Sequence, residues 1–581
     1  MNRVREVKDR IRQQVREALS AAAAKGLIPD TPLPDFSVDA PREKNHGDFA
    51  VNAAMVMRKQ LGKAPREIAQ IIVDHLDADP GWLSRLEIAG PGFLNFHLAA
   101  GYFQPVLEDV LREGRSYGSS DFGGGRKVQI EFVSANPTGL LHMGNARGAA
   151  LGDSLASVMQ AAGYAVSREY YINDAGNQIE NFGKSLEARY LELLGEKVDF
   201  PEDGYQGEDI IDTAREILNR EGERYRHMDS LQRREQMVIA GLQEKLDNIR
   251  QSLESFGVQY DVWFSEQSLH EGGKIEETIR LMKEQGLIYE KDGAVWLKAT
   301  AFGDEKDEVM LKATGAPTYF AGDIAYHRDK FERGYETVIN IWGADHHGHV
   351  ARMKAAMGSL GYDPADLEVI LMQLVRLIRD KEIVRMSKRS GQYVTLDELV
   401  EEVGKDAARF FFILRSADSQ MDFDLDLAKS QSSENPVYYV QYAHARIHSL
   451  LKMAKAADGQ AASTAPAASA APAAEREEAS AELHWPGADL RLLTHPAERE
   501  LIRKLADLPE EIMQAALDRE PHRLPRYTMD LAVLFHSFYT ECRCLVDEWP
   551  LRQARLQLCD ATRIVLRNTL ELIGVNAPER M

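Results

Sequence analysis

The chain holds three cysteines in 581 residues, Cys542, Cys544 and Cys559, all in one short stretch. That is too few for a disulfide framework, and the spacing fits no four-ligand zinc site. They read as core or bystander thiols of a reducing compartment, the cytoplasm, and no structural metal is expected. No apolar run approaches the ~20 residues that a membrane span requires. Met1 to Arg16 is charged throughout and lacks the apolar centre of a signal peptide. Excess positive charge is also missing: 70 Lys+Arg stand against 91 Asp+Glu, a net of −21. By itself that balance argues against a nucleic-acid partner. The acid is unevenly placed, however. From Arg491 onward there are 13 basic and 14 acidic residues, so a local basic face is still compatible with the composition.

What the chain has is length enough for three or four domains and a globular balance, 44% hydrophobic and 28% charged. It is organised around Glu131-Phe132-Val133-Ser134-Ala135-Asn136-Pro137-Thr138-Gly139-Leu140-Leu141-His142-Met143-Gly144-Asn145. Val128-Gln129-Ile130 begins a strand-length apolar run just before it. Asn136 to Gly139 reads as a turn, because proline fixes φ and glycine permits what other residues do not. After Gly144 the period changes. Ala149, Leu151, Leu155, Val158, Met159 and Ala162 recur at helical spacing until Gly163. In an open α/β sheet such a strand–turn–helix unit puts its turn where ligands bind, and the helix start favours phosphate.

Residues 1–118 are expected to form a small α+β unit. Val4, Val7, Ile11, Val15 and Leu19 form a helical stripe, Pro65 opens another helix, and Leu86 to Phe96 reads as two strands around a Pro-Gly turn. His46 and Asp48 read as a turn-stabilising pair. A catalytic unit is expected over 126–404. Val166 to Ile172 is its second strand, followed by a helical insertion over about 179–300. Val338 to Trp342 is a strand that ends in a polar loop, Asp345-His346-His347-Gly348-His349. That loop admits a nucleotide-contact reading, a structural one and a metal one. Val369 to Ile378 reads as one further strand. Val384-Arg385-Met386-Ser387-Lys388-Arg389-Ser390-Gly391 is a basic loop, closed by a Thr395-x-x-Glu398 capping box. From Asp406 the chain reads as all-helical, 405–581, interrupted from Ala456 to about Leu483 by an Ala-, Ser- and Pro-rich insertion expected to be disordered. Glu131 and Asp323 are carboxylates expected at strand ends. Tyr319 lies one helical turn or two strand pairs from Asp323. A planar guanidinium is best held by such carboxylates.

The run Glu131 to Asp153 resembles the nucleotide-binding signature of class I aminoacyl-tRNA synthetases, in its arginyl branch. The loop at Lys388 is similar to the second signature of that class. Two places depart from the pattern: Asn145 stands where the class has a second histidine, and Arg385 where the family often has its first lysine. The resemblance implies an α/β fold with a Rossmann-like parallel sheet, an N-terminal α+β domain and a C-terminal helical anticodon-binding domain. It implies ATP-dependent activation of L-arginine and transfer to tRNA(Arg), with Mg²⁺ accompanying ATP, no membrane partner, and a monomer. His142, Asn145 and Lys388 are then the catalytic residues. ATP contacts are implied for Pro137, Thr138, Gly139, His142, Gly144, Asn145, Asp345, His346, His347, Met386, Ser387 and Lys388. Arginine contacts are implied for Glu131, Ser134, Asn136, Tyr319, Asp323 and His346, and tRNA contacts for Tyr438, Gln441, Tyr442, Arg446 and Met581. A synthetase for another amino acid, and a tRNA-binding regulator with a degenerate site, remain as alternatives.

Overall fold

The computed structural model describes residues 2–41, 43, 46–77, 79–384, 394–462, 485 and 488–581, without the side chains of 457–462. The helix Arg3–Ala24 buries Val4, Val7, Ile11, Val15 and Leu19, the stripe expected from spacing alone. It covers a four-stranded antiparallel sheet of β1 (Val38–Asp39), β2 (Phe49–Val51), β3 (Leu83–Ala89) and β4 (Phe93–Leu98), in the order β1-β2-β4-β3. Asp48 Oδ2 accepts from Leu98 N at 2.7 Å, so it anchors the start of β2 against β4.

The central sheet is built from β5 (Lys127–Glu131), β6 (Ala165–Ile172), β7 (Val262–Ser265), β11 (Thr337–Gly343) and β12 (Leu367–Met372), ordered β12-β11-β5-β6-β7. Every pairing in it is parallel. Between β7 and β11 lie β8 (Ile288–Lys291), β9 (Ala294–Leu297) and β10 (Glu308–Leu311), a separate antiparallel sheet. The chain enters the central sheet at β5, moves one way to β6 and β7, then returns to the other side of β5 for β11 and β12. The topological switch point thus lies between β5 and β11, where ligands settle in open α/β sheets.

Four expectations need correction here. The span 179–300 is not a helical insertion throughout. Its helices Asn177–Leu193, Glu208–Glu221 and Ser230–Ser255 are followed by β7, an edge strand of the main sheet, and then by β8 and β9. Val369 to Ile378 is two strands, not one: β12 belongs to the central sheet and β13 (Val375–Arg379) to a third sheet, with β14 (Glu382–Ile383) and β15 (Met421–Asp424). Since β15 pairs with β13, the chain after 405 is not all-helical, and it returns to complete the sheet that leads into the basic loop. Finally, the helix Pro436–Ala462 extends seven residues into the expected insertion. The rest of that insertion, 463 to about 483, lies outside the described residues.

The remaining C-terminal helices are Pro496–Asp518, Arg523–Glu541 and Trp549–Leu572. The first of these packs on the helix Met143–Ala161 that follows β5. That helix is buried almost all round, which its Ala, Gly and Ser content permits. Gly152 is required there, because a Cβ would collide with the ring of Phe132. Phe132 is in turn stacked on Tyr260 with centroids 4.6 Å apart. The three cysteines are free and buried, with Cys544 and Cys559 Sγ atoms 3.8 Å apart.

Candidate active site

After β5 the backbone is strained. Val133 and Ser134 both have positive φ, 69° and 40°, a region that a β-branched residue enters only when its surroundings force it. The turn that follows leads to His142, the N-cap of the helix Met143–Ala161. His142 Nδ1 accepts from Gly144 N at 3.1 Å and from Asn145 N at 3.4 Å. Asn145 Oδ1 accepts from His142 N at 3.0 Å, completing a capping box. An accepting Nδ1 leaves the ring proton on Nε2. Asn145, the departure from the class pattern, thus keeps a structural duty at the helix start.

The segment that follows the second signature meets the first. Met143 N donates to Val394 O at 3.2 Å, Leu396 N donates to Leu141 O at 2.8 Å, and His142 forms an antiparallel bridge with Thr395. Thr395 also forms the expected capping box with Glu398. Met386, Ser387 and Lys388 themselves lie outside the described residues. The described chain stops at Val384 and resumes at Val394, directly against the first signature.

Across the switch point, β11 ends at Gly343. The expected histidine loop is instead a 3-10 turn, Ala344–His346, and then the helix His347–Ser359. Asp345, His346 and His347 are exposed. Among the described residues no group of three or more His, Cys, Asp or Glu is arranged to hold a metal. Trp342 lies against His346 and His349, with ring centroids 6.1 and 5.5 Å away.

Asp323 and Tyr319 are not at strand ends. They sit in the first turns of the helix Tyr319–Glu332, capped by Thr318 and held down by buried Phe320, Ala321, Ile324 and Ala325. Four residues apart on a helix, they share a face. His349 Nε2 is 3.1 Å from Asp323 Oδ2. Tyr319 is 57% exposed and stands over Gly176, whose φ is +81°. Next to Asp323 the fold brings Glu266, the residue just after β7, which the sequence reading missed. A carboxylate following the apolar run Val262-Trp263-Phe264 was the available signal, obscured by the charged helices before it. Glu266 is 6% exposed, and its Oε2 has no hydrogen-bond partner among the described residues. Burial, and then the negative charge of Asp323, push its pKa up to about 7 against the opposing hydrogen bond of the Tyr171 hydroxyl, with Asp174 adding a smaller upward push. Asp174 shapes this corner by accepting from Ser265 Oγ at 2.6 Å and from Gln267 N at 2.8 Å. Among the described residues the ion-pair partners of this corner are histidines, His349 at 3.1 Å from Asp323 and His270 at 4.0 Å from Glu266, with no Lys or Arg, an arrangement that suits a cationic ligand with several N–H donors.

At the end of β5 Glu131 is buried, with both oxygens engaged. Its Oε1 accepts from Ser134 Oγ at 2.9 Å, and its Oε2 from Lys330 Nζ at 2.6 Å. Asn136 Nδ2 donates to Gln178 Oε1 at 2.7 Å.

Farther away, Tyr438 and Tyr442 stack with centroids 6.3 Å apart and planes 8° from parallel. Arg446 lies over Tyr442 and Tyr539, 4.8 and 5.0 Å from their centroids. Met581 is exposed. Gln441 is already engaged, its Nε2 donating to Asp406 Oδ2 at 2.8 Å and to Asn576 O at 2.9 Å.

Comparison with known proteins agrees with this arrangement along the chain. Residues 9–98 match the family described as arginyl tRNA synthetase N terminal domain. Residues 106–422 match tRNA synthetases class I (R), catalytic domain, and 440–581 match the DALR anticodon binding domain. The chain is 58% identical over 581 residues to an arginine–tRNA ligase of Heliobacterium modesticaldum and 57% identical over 581 to one of Moorella thermoacetica, covering 100% of both chains in each case. Its fold is similar to that of the Thermus thermophilus arginyl-tRNA synthetase, with a TM-score of 0.72 at 23% identity over 98% of this chain and 100% of that one. The Plasmodium falciparum enzyme gives 0.71 at 16% identity, over 99% of each. With all three regions matched in order and more than half of its residues identical to full-length relatives, the chain belongs to the arginyl-tRNA synthetase family.

Proposed function

We infer that the cleft between β5 and β11 activates L-arginine with ATP and passes it to the 3′ end of tRNA(Arg). An oxygen of the arginine carboxylate attacks the α-phosphorus and pyrophosphate leaves. A terminal ribose hydroxyl of the tRNA then attacks the arginyl carbonyl carbon and AMP leaves. The observation that carries this reading is the acidic corner at Glu266 and Asp323, which has no Lys or Arg partner among the described residues, on the same parallel sheet as a helix N-terminus suited to phosphate.

Each residue has a physical task in it. Asp323, Glu266 and Tyr319 hold the guanidinium. Ser134 and Asn136 hold the amino-acid end. The N-terminus of the helix Met143–Ala161, with His142 Nε2–H and Gly144 beside it, meets ATP. Asp345, His346 and His347 flank the nucleoside side, and Lys388 meets the phosphates with Mg²⁺, which enters on ATP. Catalysis is by position and charge, since the attacking carboxylate needs no base. The stacked Tyr438–Tyr442 pair with Arg446 offers RNA bases a π-face and a cation. The protein works as a cytoplasmic monomer in this reading, and no helix among the described residues is long and apolar enough to cross a membrane.

The test is ATP–pyrophosphate exchange with each amino acid in turn, with and without tRNA. Exchange with arginine alone among the amino acids is expected, and only when tRNA is present. Exchange with another amino acid would defeat the substrate reading. Equal rates without tRNA would defeat the coupling alone. Coupling has a route in the structure: the C-terminal helix Pro496–Asp518 packs on the signature helix, so RNA binding at one has a way to bias the other.

A pH dependence follows from Glu266. Its raised pKa leaves it protonated below about 7 in the free protein. The folded value lies above the ordinary 4.5, so its contribution to stability is fully present below 4.5 and is lost as pH rises through about 7. Substrate binding runs the other way, because the ionised form attracts the guanidinium. kcat/KM for arginine should therefore rise as pH passes through about 7. Glu266→Gln should abolish that limb of the profile, and a profile unchanged in the variant would assign the limb to another group.

A further inference from the structure

The carboxylates of Glu266, Asp323 and Glu131 all lie close enough to act on the Tyr171 hydroxyl, but they differ in electrostatic state, and one lysine makes the difference. At Glu266 and Asp323 two carboxylates have only histidines beside them, His270 at 4.0 Å and His349 at 3.1 Å, and no Lys or Arg among the described residues. At Glu131 the negative charge is cancelled by Lys330, which is 0% exposed and reaches Glu131 from the helix Tyr319–Glu332. Lys330 Nζ also donates to Asn340 Oδ1 at 2.8 Å and lies 4.2 Å from the centroid of the Tyr326 ring. Asn340 Nδ2 donates to His327 Nε2 at 2.7 Å, and His327 Nδ1 donates to the carbonyl oxygen of Asp323 at 2.7 Å. Burial, and then the Lys330 charge, hold His327 neutral, which suits this pattern of one donor and one acceptor. One helix thus presents Asp323 to the cleft with a histidine beside it and, two turns on, sends Lys330 to remove the charge of Glu131.

We propose that Lys330 is a positioning residue that fixes which way round arginine lies in the cleft. Arginine carries two cationic groups, and either is attracted by a carboxylate. With Glu131 neutralised, the guanidinium goes to Glu266 and Asp323. The amino-acid end is then left at the strained turn after β5, where its carboxylate faces the nucleotide helix. Without Lys330, Glu131 becomes a second seat for the guanidinium. Arginine seated there is inverted, with its carboxylate away from the α-phosphate, so it binds without reacting. The inference rests on arginine being the substrate.

The experiment compares the full-length wild type, Lys330→Met and Lys330→Met/Glu131→Gln by pyrophosphate exchange with tRNA present. Wild-type exchange with arginine tests the substrate reading by itself, and its failure would sink both. In Lys330→Met, kcat and the arginine KM should fall together by about tenfold while their ratio moves less than about threefold, the kinetic mark of unproductive binding. The KM for ATP should stay in place. The double variant removes the competing carboxylate and should recover most of the lost kcat. A merely loosened core would lower the active fraction and leave KM alone, and a second buried substitution would not rescue it. Wild-type kinetics in Lys330→Met, a fall in kcat without a fall in the arginine KM, or no rescue would each overturn the proposal. Should the single variant not fold, the double variant decides, because removing both members of a buried ion pair is better tolerated than removing one. A kcat/KM for arginine above about one-tenth of wild type then supports the proposal, and a lower value overturns it, because Glu131 would be binding substrate by its own charge.

Discussion

Asp323→Asn should raise the KM for arginine on the order of thirtyfold or more while changing that for ATP little. Removing one charge from a cation seat leaves the guanidinium partly unpaired, a loss of about 2–5 kcal/mol when the pair is desolvated. Asp323 is 37% exposed in its side chain, which places the effect toward the lower end of that range. Its neighbours sharpen the expectation. His349 already shares one of its oxygens, and Glu266 is held near neutrality partly by the Asp323 charge. Neutralising Asp323 therefore lowers the pKa of Glu266, and some cation affinity returns at neutral pH. Glu266→Gln added to Asp323→Asn should remove that compensation, so the pair should lose more than the two single effects together. Steady-state kinetics with arginine and ATP varied separately decides it. A variant whose arginine KM held while its ATP KM rose would move Asp323 out of the amino-acid seat.

Lys388→Ala should slow adenylate formation by a factor on the order of 10²–10³, the scale for losing one charge contact aimed at a transition state. Binding of arginine and ATP should change far less, since the contact strengthens only as charge develops on the departing pyrophosphate. The described ends of the segment support the assignment. Val394, five residues beyond the end of the Arg385–Arg389 run, accepts from Met143 N, so the chain that follows the loop lies against the start of the signature helix. A single-turnover measurement with saturating substrates gives the rate, and equilibrium binding of each substrate gives the comparison. A near-normal rate would pass the role to Arg385 or Arg389.

The strand–turn–helix at the centre of the chain was legible from its residues. Period-2 and period-3.6 patterns are local, and so are caps such as His142 and Thr395. The N-terminal stripe from Val4 to Leu19 was legible for the same reason, and each of its residues is buried in the structure. The family was legible because its two signatures are contiguous runs of specific residues.

What only the tertiary structure decided is non-local. The four residues of β7 carry no period of their own and follow 26 helical ones, so nothing in their neighbourhood marks them as an edge of the main sheet. Pairing with β6 makes them a strand, and that pairing delivers Glu266 to Asp323 from 57 positions away in the chain. The sequence left Tyr319 open between a helical turn and a strand and read Asp323 as a strand end, because the buried face of this helix is decided by what packs on it. The state of charge in the cleft was the least legible of all. Glu131, Glu266 and Asp323 are alike in sequence, each a carboxylate near apolar residues. Lys330 cancels the first at 2.6 Å, while the other two share one corner and have only histidines beside them, His349 and His270. Charge acts through space and burial, and the chain's order fixes neither until it folds.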